Sequence, residues 1–249
     1  MTSFFPAAAR RHRMGAAAIA VAFSTIGLTL ALPLAGLAQE TFDLRSTLAP
    51  AEDQYRFEGS SGQTVSISMT SEDFDPLLVL LGPDGEEVAM NDDFGGTLNS
   101  NIVFTLPTTG TYTVIARSFS GQGGDYAVSV RIATDYEISF AEGQALALAG
   151  DFAGAIAAFS NAIEQDPSEP AAYLARIESR FNEAFEELGG ELSGPEDLPD
   201  DIKEAIASDY ESAADLYEAQ GETDFADVLR QQALVLLTGE LPIQPEAAE

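Results

Sequence analysis

The chain has 249 residues, of which 45% are apolar, so it is long enough to bury the cores of one large or two small domains. It carries 41 acidic and 11 basic residues, a formal net charge of −30, and so acidic a surface repels nucleic acid and anionic membranes. The absence of cysteine excludes disulfides, zinc–thiolate sites and cysteine nucleophiles, and the single histidine, His12, leaves no imidazole for a catalytic triad in the rest of the chain.

The first 38 residues, 1–38, have the pattern of a secretory signal peptide. Three arginines between positions 10 and 13 are followed by the apolar run Ala16–Leu37, and Gly36-Leu37-Ala38 supplies the small residues that signal peptidase reads. We expect cleavage after Ala38 and export to the periplasm or the exterior, with no membrane contact afterwards. The apolar run is also long enough for an uncleaved anchor. Removing the leader takes the net charge from −30 to −33.

Residues 41–133 alternate between apolar and polar side chains, which predicts strands with one buried face. Gly-, Pro- and Ser-rich turns separate seven or eight such strands, a spacing typical of an antiparallel β-sandwich or jelly roll. The alternating apolar positions are Tyr55 and Phe57; Val65, Ile67 and Met69; Ile102, Phe104 and Leu106; Tyr112, Val114 and Ala116; Tyr126, Val128 and Val130.

A β-hairpin is predicted near the middle of this region. The apolar run Leu77–Leu81 enters the turn Gly82-Pro83-Asp84-Gly85, and a second short strand, Glu86–Met90, leaves it. The polar turn Asn91-Asp92-Asp93 follows the second strand.

The segments YRFEGSSGQTVSISM, FDPLLVLLGPDGEEVAMNDD, NSNIVFTLPTTGTYTVIARS and GGDYAVSV occur in an order that resembles the bacterial pre-peptidase C-terminal domain. The resemblance covers about residues 50–132, and collagen-binding domains of clostridial collagenases are relatives. It implies a β-sandwich that serves as an accessory, non-catalytic module of a secreted protein, often stabilised by calcium. In the collagen-binding relatives an aspartate pair supplies ligands; Asp53 matches one of the pair and Pro50 stands in place of the other.

Calcium requires several oxygen ligands on loops. Asp75, Asn91, Asp92 and Asp93 can supply them if the two ends of the hairpin meet, so we treat these four residues as a candidate calcium site. The alternative for Asn91–Asp93 is turn formation alone, through side-chain hydrogen bonds to the backbone.

Two aromatic residues of this region, Phe94 and Phe119, are candidates for a ligand face. If they are exposed, they favour binding of an envelope glycan. The alternative is that each belongs to the core or to a strand edge.

The pattern changes after Ala133, where alanine, glutamate and leucine at helical spacing predict an all-α domain over residues 136–241. The helices Glu137–Gly150 and Phe152–Gln165 form a pair that resembles a tetratricopeptide repeat, although Ser139 departs from its usual bulky residue. The positions that match the repeat's packing pattern are Gly143, Leu146, Ala155, Phe159, Ala162 and Pro167.

Three more helices are predicted, separated by the loop Gly189–Asp200, and the tail 242–249 is expected to be disordered. Their ranges are Pro170–Leu188, Ile202–Gln220 and Thr223–Leu237. About two repeats bury little core alone. The helices should therefore pack on the sandwich, self-associate or hold a partner, and a compact domain without a groove is the alternative to a concave binding surface.

The chain is thus predicted to be an α+β protein of two domains and an exported, non-enzymatic binding or adaptor protein. Its sandwich would stabilise the molecule or bind a ligand, and its helical repeats would bind a protein or peptide partner. The alternative is a cell-surface or polysaccharide-binding protein that acts through the β-sandwich. An enzyme is the third reading, because carboxylate pairs such as Asp73/Asp75 and Glu186/Glu187 could act as acid and base, but such pairs are abundant in so acidic a chain.

Overall fold

A computed structural model describes residues 42–48, 52–93, 97–190, 194 and 197–239. Within them, eight strands over residues 42–132 are followed by five helices. The strands are β1 Phe42–Leu48, β2 Asp53–Gly59, β3 Thr64–Ser71, β4 Pro76–Leu81, β5 Glu87–Asn91, β6 Ser100–Thr105, β7 Gly110–Ser118 and β8 Gly124–Ile132. The helices are α1 Asp135–Leu148, α2 Phe152–Gln165, α3 Pro170–Glu187, α4 Asp200–Ala219 and α5 Thr223–Thr238.

The strands form two antiparallel sheets. Sheet A has the order β1-β8-β3-β6 and sheet B the order β2-β7-β4-β5, which is the strand order of a jelly roll. The predicted β-sandwich is therefore confirmed. Strand β8 runs directly into α1, and we call that end of the sandwich the junction end. The starts of β4 and β8 and the end of β5 lie at the opposite, far end.

The core of the sandwich is built from the alternating positions of both sheets, because successive side chains of a strand point to opposite faces. Phe57 of sheet B stacks on Tyr112 with the ring centroids 5.6 Å apart. The buried cluster comprises Leu48, Phe57, Val65, Ile67, Met69, Phe74, Leu78, Leu80, Ile102, Leu106, Tyr112, Val114, Ala116, Tyr126, Val128 and Val130.

The predicted hairpin is present as β4 and β5. Its turn is closed by the Gly82 amide, which donates to the Glu86 carbonyl at 2.8 Å, and by the Gly85 amide, which donates to the Gly82 carbonyl at 3.0 Å. Gly85 has a φ of +83°, which L-residues with a side chain rarely adopt. A bulge between Leu80 and Leu81 makes Glu87 the partner of Leu81. The second strand, Glu87–Asn91, begins one residue later than predicted.

The helices pack in sequence, each against the next. Gly150, with a φ of +81°, and the Asp151 side chain, which accepts from the Gly154 amide at 2.9 Å, form the turn between α1 and α2. Because the connection is so short, these two helices are antiparallel. The predicted bounds of α2 match the observed ones, as do the predicted first residues of α3 and α5, and the remaining helix ends differ by one or two residues.

A cluster of buried charges joins α2, α3 and α4. Asp209 is 3% exposed and accepts from Arg176 in two bonds of 2.6 and 3.0 Å. Arg180 also binds Asp209, and Arg176 donates to the Ser160 hydroxyl at 2.8 Å. Removing one partner of such a buried cluster leaves an uncompensated charge, so these contacts fix the relative positions of the three helices.

The predicted leader, 1–38, and the predicted disordered tail, 242–249, lie outside the described residues. In the part of the chain that is described, no helix has the length and apolar character needed to cross a membrane.

The contact between α1 and α2 predicts a strong effect at Gly143. A Cβ atom there would lie 2.6 Å from the Phe159 ring, so Gly143→Ala should lower the free energy of unfolding by about 1–3 kcal/mol despite the better helix propensity of alanine. Urea unfolding measures the loss. Adding Phe159→Leu to Gly143→Ala should restore part of the lost stability, because the smaller side chain makes room for the Cβ atom. If Gly143→Ala were as stable as the wild type, the helices would not be packed this closely.

Candidate functional site

A cleft of about 540 Å³ lies where the sandwich meets the helices. It is formed by the end of β8, the first turn of α1 and the connection between α2 and α3. Its lining is Arg131, Thr134, Asp135, Tyr136, Glu137, Gln165, Asp166 and Glu169.

The floor of the cleft is organised by Glu137, which is only 8% exposed. Its carboxylate accepts two bonds from Arg131 of β8, at 2.5 and 2.6 Å, and one from the Ser66 hydroxyl of β3 at 2.7 Å. It also accepts the Thr134 amide at 2.9 Å, while the Thr134 hydroxyl accepts the Glu137 amide at 3.2 Å. One side chain thus completes a capping box for α1 and binds the helix to sheet A.

The pKa of Glu137 is the balance of opposing effects. Burial raises it, but hydrogen bonds from Arg131, Thr134 and Ser66 and the charge of Arg131 outweigh burial and hold the pKa below its ordinary value. Glu137 is therefore ionised at neutral pH and paired with Arg131.

Tyr136 forms a wall of the cleft and stacks on Phe140 with centroids 5.7 Å apart and ring planes 15° apart. Burial, followed by the negative charges of Glu169 and Asp166, raises the pKa of its hydroxyl. These carboxylates are therefore close enough to Tyr136 to impose a negative potential on this part of the cleft.

The site has the chemistry of a cation-binding cleft. Since Glu137 neutralises Arg131, the carboxylates of Asp135, Asp166 and Glu169 remain as the net charge of the lining. Negative charge converging in a concave site attracts ammonium or guanidinium groups, and the tyrosine hydroxyl can accept a hydrogen bond from either.

The candidate calcium residues lie at the far end of the sandwich, away from the cleft. Burial, then the negative charges of Asp93 and Asp92, raises the pKa of Asp75, and the Asp75 Oδ1 atom is buried without a hydrogen-bond partner. The three aspartates therefore lie near one another. The Asn91 side chain is occupied: its Oδ1 accepts the Asn101 amide at 2.9 Å and its Nδ2 donates to the Asp93 carbonyl at 2.9 Å.

Within the described ranges, no three acidic, histidine or cysteine side chains are grouped so that they could hold a metal ion. An ion at Asp75, Asp92 and Asp93 would have to complete its shell with backbone carbonyls or water, since the amide oxygen of Asn91 already accepts the Asn101 amide. The orphaned Asp75 oxygen and its acidic neighbours fit a hard cation in their chemistry, and the calcium site stays a prediction.

Of the two candidate aromatic residues, Phe119 is 62% exposed after β7, and Phe94 lies outside the described residues. Other aromatic side chains of the sandwich belong to its core or pack against it, namely Phe42, Tyr55, Phe57, Phe74, Phe104, Tyr112 and Tyr126. The described part of the sandwich thus offers Phe119 as an exposed ring, without a row of neighbouring aromatics.

The residues matched to a repeat pattern lie mostly between α1, α2 and α3. Ala155, Phe159 and Ala162 are buried in one cluster with Phe140 and Ala172. Gly143 is buried against Phe159, Leu146 packs at the margin of the cluster, and Pro167 is exposed in the connection to α3.

The cleft residues were not identified from the sequence. A local signal existed, because Thr134 and Glu137 have the spacing of a capping box. The partners Ser66 and Arg131 could not be read from spacing, since Ser66 is 71 positions from Glu137 and is brought to it only by the sandwich.

Comparison with known families identifies part of the sandwich. Residues 51–118 match the family described as "Bacterial pre-peptidase C-terminal domain", a range that contains β2 to β7. The match places such a domain in these residues, as the resemblance implied, and it leaves the helices unassigned. No curated protein matches the chain.

Several solved structures are similar to the sandwich. The pre-peptidase C-terminal domain of collagenase from Bacillus anthracis is 19% identical, with 43% of this chain and 98% of that chain covered and a TM-score of 0.34. PliG of Aeromonas hydrophila, a periplasmic inhibitor of g-type lysozyme, is 15% identical, with coverage of 42% and 96% and a TM-score of 0.33. CorA of Methylomicrobium album BG8, a surface-associated copper-binding protein, is 11% identical, with coverage of 36% and 93% and a TM-score of 0.28. At these identities and TM-scores, the likenesses carry no argument about ligands or partners.

The Glu137 geometry predicts a specific pH dependence of stability. Because its folded-state pKa is lowered, the carboxylate contributes stability above the ordinary pKa of about 4.3 and loses it as pH falls through the lower folded-state value. Glu137→Gln should lower the free energy of unfolding at pH 7 by about 1–3 kcal/mol, less than for a fully buried pair because Arg131 is partly exposed.

Urea unfolding of both proteins between pH 7 and pH 3 measures this difference. It should shrink on acidification, whereas the solvent-exposed control Glu164→Gln should follow the wild type throughout. A difference that stays constant with pH would contradict the ion pair.

Proposed function

We propose that this chain is an exported, non-enzymatic binding protein that holds a positively charged segment of a partner protein in the junction cleft. The observation that carries the proposal is the presence of Asp135, Asp166 and Glu169 with Tyr136 in the lining of a cleft of about 540 Å³. The lack of cysteine, and of histidine beyond His12, supports a binding function rather than a catalytic one.

The helices are proposed to act as a tetratricopeptide-like interaction module. Sequential packing of α1 to α5, the close contact of Gly143 with Phe159 and the repeat-like sequence of α1 and α2 support this assignment. Modules of this kind bind extended segments of other proteins on their inner surfaces. The junction cleft adds a charged subsite at the first helix pair, where the sandwich closes the array.

The sandwich is proposed to stabilise the first helix and to carry the calcium site at its far end. Ser66 and Arg131 support the first role, because both belong to sheet A and bind Glu137. The orphaned oxygen of Asp75 supports the second, since a cation there would relieve its repulsion with Asp92 and Asp93.

Cleft binding is tested with short peptides that contain one arginine among alanines, with norleucine replacing arginine as the control. For residues 39–249, Asp135→Asn combined with Glu169→Gln should weaken binding of the arginine peptide about fivefold, which corresponds to about 1 kcal/mol for two partly screened charges. Isothermal titration at low and high salt measures the change. Glu164→Gln removes a charge outside the cleft lining and should have no effect. If this control weakened binding equally, the peptide would be responding to the general surface charge and not to the cleft.

The partner role is tested by affinity capture from the periplasm and envelope with the wild type and the double variant. A partner that requires the cleft is retained by the wild type and by Glu164→Gln and lost by the double variant. Capture of the same proteins by all three would contradict a role for the cleft.

The calcium proposal is tested at Asp75. In chelator, Asp75→Asn should raise the Tm by relieving repulsion from Asp92 and Asp93, and calcium should raise the Tm of the wild type but not of the variant. The exposed neighbour Glu72 provides a control, because Glu72→Gln should keep the calcium response. A wild-type Tm that is the same with calcium and with chelator would end the proposal.

Export is tested by the mass of the protein recovered from its native host. Cleavage after Ala38 predicts a chain that begins at Gln39 in the periplasmic or extracellular fraction. An intact leader on membrane-bound protein would support the anchor instead.

A further inference from the structure

Strand β4 is apolar on both of its faces. Leu78 and Leu80 belong to the sandwich core, so their neighbours Leu77, Val79 and Leu81 lie on the outer face of sheet B. A strand with one solvated face normally alternates apolar with polar residues, and strands that are apolar throughout are normally covered on both sides. The outer side of β4 therefore has the composition of a covered surface.

The apolar outer positions continue onto the neighbouring strands. Val79 pairs with Ile115 of β7 on one side and with Met90 of β5 on the other. Together with Leu77 and Leu81 they form what we call the aliphatic strip. Val79 is 2% exposed and Ile115 is 7% exposed although neither belongs to the sandwich core, whereas Met90 is 60% exposed at the edge of the strip.

No helix covers this face in the described part of the chain. The helical array is attached to the opposite sheet, through the bonds of Glu137 to Ser66 and Arg131 and the contact of α1 with β6. The aliphatic strip and the junction cleft consequently lie on different surfaces, and binding at one does not require the other.

Two basic residues stand beside the aliphatic strip of this otherwise acidic molecule. Arg56 and Arg117 stand on the same outer face, opposite Thr113 and Leu77 in the register. Among the described residues no carboxylate lies within ion-pair distance of Arg56, and Arg117 reaches Glu52 only at 3.8 Å. The Nε atom of Arg117 is buried without a hydrogen-bond acceptor.

The carboxylates of this face that belong to the described residues, Glu52, Glu58 and Glu87, lie at its margins. Glu58 is bound by the Thr111 hydroxyl at 2.6 Å, and Glu87 stands beside Leu81 at the edge strand. In a chain with a net charge of −30, an arginine such as Arg56 that has no ion-pair partner among the described residues is unusual, and it stands beside an aliphatic surface. Charge complementarity thus favours an occupant with carboxylates beside its apolar side chains.

We propose that the outer face of sheet B is a docking surface for an acidic, aliphatic segment of a partner protein. Aliphatic side chains of the segment pack on Met90 and on the partly exposed Leu77 and Leu81 around the buried Val79 and Ile115. Its carboxylates bind Arg56 and Arg117. A polypeptide fits better than a glycan because the described part of this face has no row of aromatic rings on which sugars could stack: the exposed Phe119 stands alone just after β7. A second copy fits poorly, since two chains of −30 each repel one another.

The probe is an eight-residue peptide that alternates glutamate with leucine, labelled with a fluorophore and titrated with residues 39–249. Two controls replace leucine by serine or glutamate by lysine. Arg56→Glu and Met90→Glu each introduce a carboxylate at an exposed position of this face. The Tm of each variant is first compared with that of the wild type. Arg45→Glu makes the same charge reversal on the outer face of sheet A, where Arg45 is exposed.

The glutamate–leucine peptide should bind in the micromolar to millimolar range, and the serine peptide should not. Arg56→Glu and Met90→Glu should each weaken binding by about tenfold, while Arg45→Glu and the cleft variant Glu169→Gln leave it unchanged. Absence of binding at about 1 mM, or equal weakening by Arg45→Glu, would overturn the proposal. A second result would also overturn it. If an acidic polysaccharide bound the strip and the glutamate–leucine peptide could not displace it, the partner would be a glycan.

Discussion

The carboxylate of Glu137 is the constraint on which the arrangement of this molecule depends. It receives hydrogen bonds from β3, from β8 and from the first turn of α1, so three separate segments meet at one charged group. A buried carboxylate is tolerated only when it is paired and fully hydrogen-bonded. Displacement of α1 from sheet A would leave Glu137 and Arg131 without their partners. The same contact fixes Asp135 and Tyr136 in the wall of the cleft, and thereby connects the stability of the junction with the proposed binding site.

Two groups among the few basic residues of the chain give its surfaces their character. Five of the eight beyond residue 38 are in ion pairs of 3.4 Å or less, namely Arg131, Arg176, Arg180, Lys203 and Arg230. Arg131, bound to Glu137, holds α1 to sheet A, and the two arginines bound to Asp209 hold α3 to α4. Arg56 and Arg117 instead stand on the outer face of sheet B beside an aliphatic surface. One side of the molecule therefore suits a cationic group and another suits an acidic one, although the net charge alone would indicate a uniformly acidic protein.

Much of the fold could be predicted because its signals are local. Period-two alternation marked the strands, the Gly82–Gly85 turn marked the hairpin, and alanine-rich helical spacing gave the bounds of α2 correctly. The cleft could not be predicted, because it depends on Ser66 meeting Glu137 across 71 positions of sequence. The aliphatic strip was partly visible in the run Leu77–Leu81, but only the register shows that Ile115 and Met90 continue it on the same face. The assignment of the helices to a repeat family rests on sequence resemblance and packing and remains a proposal.

We propose that Glu137 couples the sandwich to α1 and α2, so that they unfold together as one unit. Native-state hydrogen exchange in increasing urea, resolved by peptide mass spectrometry, tests it most directly. In the wild type, amides of β3, β8, α1 and α2 should lose protection with the same opening free energy and urea dependence. In Glu137→Ala, α1 and α2 should open at lower free energy than the sandwich. If α1 and α2 already opened independently of β3 and β8 in the wild type, the account would be wrong.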